Sequence, residues 1–256
     1  MRVLKLSNQL MKSQKIRNMV LRSSVIIAAL LGLYFFKMTE PTVVVNDKEA
    51  LILQGLMQTI EYVHFAPKKV DDAFSQTIYK TYLERIDGQK RFFTQQDIDK
   101  IKPFELKIDD QVNARTFEFF NASFPMLEAG IKKSEAFFNE IIDTPLNFNK
   151  GDMIETDTEK RQFVKNDAEL KEQWKNIIQF EVMTKWVQLT DDQNEKENKS
   201  EAKSDEELKA DAIKDVKKRF SDWFGRLAKL SRSDRMEIHL GSIADYFDQH
   251  TDYFSL

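Results

Sequence analysis

The sequence predicts an all-α protein, an irregular multi-helix domain behind an N-terminal signal anchor. Three observations carry this class. The chain has 256 residues with only 7 Gly and 5 Pro but 20 Phe, so it is poor in chain breakers and rich in long apolar side chains,. Apolar residues return every three or four positions over most of its length, and no alternating run is long enough for a useful strand. An apolar fraction of 41% suffices at this length for a sizeable core,.

Residues 1–40 read as the anchor. Arg2, Lys5, Lys12, Lys15, Arg17 and Arg22 precede Val25 to Phe36, a run without a single charge. A basic stretch followed by a short apolar one is the pattern of an export signal, slightly short for a free-standing span. Phe35-Phe36-Lys37-Met38 stands where a small-x-small cleavage site belongs. An uncleaved inner-membrane anchor is therefore expected through residues 25–36, with its basic side in the cytoplasm and the body, residues 41–247, in the periplasm.

Within the body, Leu53, Leu56, Met57, Ile60 and Val63 form one helical stripe that ends near Ala66-Pro67,. Phe74, Ile78, Tyr82 and Ile86 form the next, with Asp71 or Asp72 as its cap and Gly88 as its stop,. Thr94 and Asp97 resemble a capping box opening a short helix before Pro103,. From about 105 to 143, Phe117, Phe120, Phe124, Leu127, Ile131, Phe138 and Ile141 make a long packing stripe, in which Pro125 predicts a kink or an interruption,. Periodicity lapses from Thr144 to Lys165. Asn166 or Asp167 then caps a helix carrying Leu170, Trp174, Ile177, Ile178, Val182 and Trp186,. Residues 190–207 are almost wholly polar and read as a solvated, mobile insertion. Leu208, Ala212, Val216, Phe220, Phe224 (or Trp223) and Leu227 restore a helix, and Ser231 or Ser233 opens the last one, through Met236, Leu240, Ile243 and Phe247,.

Charge and composition exclude several functions. Seven basic residues stand against Glu40 alone in the first 40, which leaves the remainder at a formal charge of about −9,. Such a body lacks the clustered Lys and Arg that replace counterions on a phosphate backbone, so nucleic acid is not an expected partner. With no cysteine there is no disulfide, thiolate metal site or Cys nucleophile,. The three histidines, His64, His239 and His250, have no metal-ligand spacing, and no P-loop, dinucleotide fingerprint or G-x-S-x-G elbow is present,. No cofactor and no metal are expected. Asp248, His250 and Ser255 invite a triad reading, but three groups crowded into eight positions of one tail are better read as a turn or linker cap,.

Several segments nonetheless resemble the N-terminal helical domain of the tail-specific, or carboxy-terminal processing, serine proteases, peptidase family S41. They are His64-Phe65 with Val70 to Ser75, Tyr82 to Asp87, Thr94 to Ile98, Pro145-Leu146-Asn147-Phe148, and Asn166 to Leu170 with Trp174. The closing tract, Asp248-Gln249-His250-Thr251-Asp252-Tyr253-Phe254-Ser255, is similar to that family's Asp-Pro-His-Thr/Ser-x-Tyr-Leu/Phe-Ser/Pro segment, with Gln249 in place of the usual Pro. In the family this segment leads into a PDZ domain that captures substrate C-termini, and then into a core with a Ser-Lys dyad. The resemblance thus implies a scaffold that docks PDZ and protease domains or receives an adaptor or protein substrate, with residues 248–256 as a truncated connector. Asp248, His250, Thr251, Tyr253, Phe254 and Ser255 carry that structural motif, and no position matches a catalytic residue, so the chain alone is expected to be inactive. The alternative reading is a stand-alone exported α-helical adaptor that binds through a Phe-lined groove.

Overall fold

Polar starter residues and apolar stripes set the helices, and the structure, a computed structural model, describes residues 47–63, 68–148, 154–195 and 202–247. The expected anchor at 25–36, residues 64–67 and the closing tract 248–256 lie outside the described residues. The helices are α1 (Asp47–Val63), α2 (Asp72–Asp87), α3 (Gln95–Ile101), α4 (Ile108–Ala114), α5 (Glu118–Ile142), α6 (Asp167–Asn194), α7 (Asp205–Leu227) and α8 (Arg232–Phe247), with one 3-10 turn at Lys102–Phe104. There is no strand among the described residues, so the class is all-α.

The caps fall at the residues whose short side chains can reach an unpaired N–H group. Asp71 accepts from the Ala73 and Phe74 amides, and Asn166 from those of Ala168 and Glu169. Thr94 with Asp97 and Ser204 with Glu207 form reciprocal capping boxes,. Ser231 and Asp234 make the same exchange at the head of α8: the Ser231 amide donates to the Asp234 carboxylate at 2.7 Å, and the Asp234 amide to Ser231 Oγ at 3.3 Å.

Four local features sharpen the sequence reading. Gly88 ends α2 in a right-handed conformation, φ −57°, and a Cβ there would lie 2.5 Å from the Glu84 carbonyl oxygen. Gly88 thus stops α2 where the sequence places the stop, and its role there is close approach,. The long stretch from 105 to 143 is two helices. Arg115 takes a left-handed conformation, φ 59°, the Thr116 amide bonds back to the Gln111 carbonyl, and Gln111 Oε1 accepts the Phe119 amide, so α5 starts afresh. No Gly or Pro marks this break in the sequence. Pro125 lies inside α5 without interrupting it. Finally, α6 runs to Asn194 and α7 begins at Asp205, so helix reaches into both ends of the polar 190–207 tract. There the Gln193 amide side chain pairs with both backbone groups of Lys203, at 2.8 and 3.0 Å.

Helix α5 is the shared element of the core. It packs against α3 and α8 and against α6 and α7, while α2 rests on α4 and α8, and α1 on α8. Phe119 and Phe120, near the start of α5, meet Tyr82 of α2 and His239 of α8. Phe138, five turns on, stacks on Phe220 at 5.0 Å and meets Trp174 and Phe224,. Gly130, between these ends, lets α5 press onto the loop after α2; a Cβ there would sit 2.7 Å from the Phe92 carbonyl oxygen.

Candidate functional site

Reactive side chains in the body are spent on packing. His239 is buried among Tyr82, Phe117, Phe119 and Phe120, with ring centroids 5.2 to 6.2 Å away. Burial pushes its imidazole down to about 4, which keeps it neutral and apolar-facing,. Among the described residues no three His, Cys, Asp or Glu side chains gather as a metal site. His64 and His250 lie outside the described residues.

Asp87 is a buried carboxylate that organises a loop, and the sequence pattern does not single it out. It closes α2 and accepts the amides of Arg91, Phe92 and Phe93 at 2.7 to 3.0 Å, curling the following loop around itself. Burial pushes its carboxyl up to about 7, opposed by those three amides and the nearby Arg91 guanidinium,. The loop so shaped presents its Arg91 carbonyl to Trp174 Nε1 at 3.0 Å and to Ser134 Oγ at 2.8 Å. The signal available in the sequence is an Asp followed at once by Gly, before two aromatics.

The Phe stripe does not line a groove. Phe117, Phe120, Leu127, Ile131, Phe138 and Ile141 are all buried, and Phe119, which the stripe omitted, has no exposed surface. Only Phe124 is partly open; it stacks on Phe120 at 5.6 Å beneath the Arg232 guanidinium.

Arg232 carries the tie between the first and last helices. Its guanidinium forks onto the Glu49 carboxylate with two 2.9 Å bonds, donates to Asn121 Oδ1 at 2.6 Å and lies 4.8 Å over the Phe120 ring,. Nothing in the spacing of residues 49, 121 and 232 reveals this group.

The motif residues Asp248, His250, Thr251, Tyr253, Phe254 and Ser255 lie outside the described residues, so the describable part of this site is the platform they leave from. Phe247 closes α8 against Phe74, with centroids 6.0 Å apart, and Tyr246 meets Phe74 edge-on at 4.9 Å. Lys68 Nζ donates to the Tyr246 carbonyl at 2.6 Å and the Tyr246 hydroxyl to the Lys69 carbonyl at 3.3 Å, pinning this end of α8 to the segment before α2. Beside it runs a groove of 460 Å³ between α1, α4 and the end of α8, with Met57, Ile60, Val70, Val112 and Phe247 as apolar floor. A second, larger cleft of 1130 Å³ lies between α2 and the 158–163 segment, lined by Tyr79, Leu83, Ile98 and Phe163 beneath Glu84 and Glu159. Neither brings together a nucleophile, a base and an oxyanion donor, so what this arrangement offers is surface for binding.

Comparison with known proteins bears on the same tract. The chain is 24% identical over 215 residues to the tail-specific protease of Haemophilus influenzae (strain ATCC 51907 / DSM 11121 / KW20 / Rd), an alignment that takes in 82% of this chain and 28% of that protein. The chain thus spans little more than a quarter of the curated relative it matches. The model of the tail specific protease N-terminal domain matches residues 56–256, which favours the protease-domain reading over the stand-alone adaptor. The helical body from residue 56 onward and the terminal tract fall within one match, and the chain belongs to the tail specific protease N-terminal domain family.

Proposed function

We propose that the chain is the N-terminal scaffolding domain of an exported carboxy-terminal processing serine protease, anchored in the inner membrane through residues 25–36 with its body in the periplasm. In this reading it docks the PDZ and protease domains of the full protein and receives an adaptor or a protein substrate. It supplies no catalytic residue, because the Ser-Lys dyad of the family has no counterpart in these 256 residues,.

The observation that carries the reading is the extent of the family match, which runs from residue 56 through the Asp248 to Ser255 tract. That tract is the one whose counterpart in the family leads into a PDZ domain. The interior is consistent with a scaffold: its buried polar groups, Asp87, Gln111 and Ser134, hold loops and helix ends rather than line a reaction site.

The test is a pair of measurements. An in-frame continuation encoding PDZ and protease domains after codon 256 is expected in the DNA, and an unrelated sequence there counts against the assignment. The isolated chain is expected to show no peptide hydrolysis; turnover abolished by Ser255→Ala would overturn both the inactivity and the domain reading.

A further inference from the structure

We propose that the connector docks back onto its own domain, with Tyr253 and Phe254 seated in the groove between α1, α4 and the end of α8. Three observations point there. The groove begins at Phe247, the residue from which the connector departs, and Tyr253 is six positions further on. An extended chain covers about 3.3–3.6 Å per residue, so both aromatics reach any point of the groove. The floor is apolar: Met57 and Val70 are half-exposed over buried Ile60, Val112 and Phe247. Apolar surface of this kind is stabilised by covering, and an aromatic pair on a short tether is a partner at high effective concentration.

Charge provides the third observation. Arg115 and Lys68 line the groove against the single carboxylate of Glu61 among its described residues, and the connector brings Asp248 and Asp252. Arg115 is held in place by its left-handed backbone, which turns it out of α4. Docked there, the aromatic pair holds the chain between Phe247 and Phe254 against the helical body. On the connector reading given above, this makes the tract a strut that fixes the direction in which the next domain leaves the helical body. The Lys68 and Tyr246 bonds already brace the root of that strut.

The rival occupant is Phe65, between α1 and Lys68 in the chain, and cross-linking separates the two. The native chain has no cysteine, so paired substitutions report without background. In the full chain, Asn113→Cys with Phe254→Cys is expected to form a disulfide at least about tenfold faster than a distant control, Asp192→Cys with Phe254→Cys. Equal rates for these two pairs, or rapid closure only of Asn113→Cys with Phe65→Cys, would overturn the proposal. A second measurement uses chymotrypsin, which cuts after Tyr253 and Phe254: Met57→Glu in the groove is expected to speed that cleavage about tenfold, while α2 to α8 stay intact, as local opening of a docked segment requires. Unchanged cleavage also counts against docking. Failure of the family reading would appear instead in the DNA after codon 256, which these two measurements do not touch.

Discussion

Asp87 and His239 bind protons in opposite senses, and the pair sets how stability responds to acid. With its carboxyl raised from 3.8 to about 7, Asp87 contributes stability that is complete below about 3.8 and lost as pH rises through about 7,. His239, lowered from 6.5 to about 4, contributes stability present above 6.5 and lost as pH falls through about 4,. Between about 4 and 6.5 the unfolded chain carries the proton on His239 and the folded chain carries it on Asp87, so the two slopes cancel. Relative to the native chain, Asp87→Asn is expected to gain stability with rising pH over that window, by up to about 1.4 kcal/mol per pH unit. His239→Leu is expected to do the reverse, and urea melts at pH 4.5, 5.5 and 6.5 measure both. Parallel curves for native and variant chains would refute the assignment. At the same scale, Arg232→Ala strands a nearly buried carboxylate on Glu49 and is expected to cost about 2–4 kcal/mol,. Replacing both partners with Leu should restore most of the loss, as a double-mutant cycle will show. None of these residues is conspicuous in the sequence, because burial of a polar side chain depends on what folds over it.

At the scale of the element, three glycines separate helix propensity from packing. Gly55 in α1 and Gly225 in α7 have open space where a Cβ would go, so Ala at either site is expected to stabilise by about 0.5–1 kcal/mol,. Gly130 faces the Phe92 carbonyl oxygen at 2.7 Å, and Gly130→Ala is expected to destabilise by about 1–3 kcal/mol, with the shifts in Tm of opposite sign,. Helix starts were legible because a cap needs only a short polar side chain and the two or three residues after it; Asp71, Thr94 and Asn166 are where the local pattern places them. The break at Arg115 was not legible. It rests on a non-glycine residue held left-handed by the Gln111 and Thr116 bonds across the junction,. Of the two outcomes predicted for Pro125, the interruption does not occur, since a missing N–H group is tolerated where packing on both sides keeps α5 continuous,.

At the scale of the whole molecule, α5 makes one core out of two helix groups, and unfolding should report it. All three tryptophans, Trp174, Trp186 and Trp223, belong to α6 and α7, so their fluorescence follows that group, while far-ultraviolet circular dichroism follows every helix. Arg232→Ala, which acts at the other group, is expected to move both signals together; a shift in dichroism alone would show that α5 does not couple them. Phe138→Ala, at the α6 and α7 end, should cost about 3–5 kcal/mol and move both signals as well,. The sequence by itself determined the class, the helix starts, the lack of catalytic motifs and the family resemblance, because periodicity, caps and motifs are local patterns along the chain. The tertiary structure decided which of those side chains are consumed. It sealed the Phe stripe into the core, turned Asp87 and His239 into structural groups and joined α1 to α8 through Arg232. It also shaped a groove with an apolar floor beside Phe247. Each of these follows from contacts between residues far apart in the chain, which no spacing along it encodes.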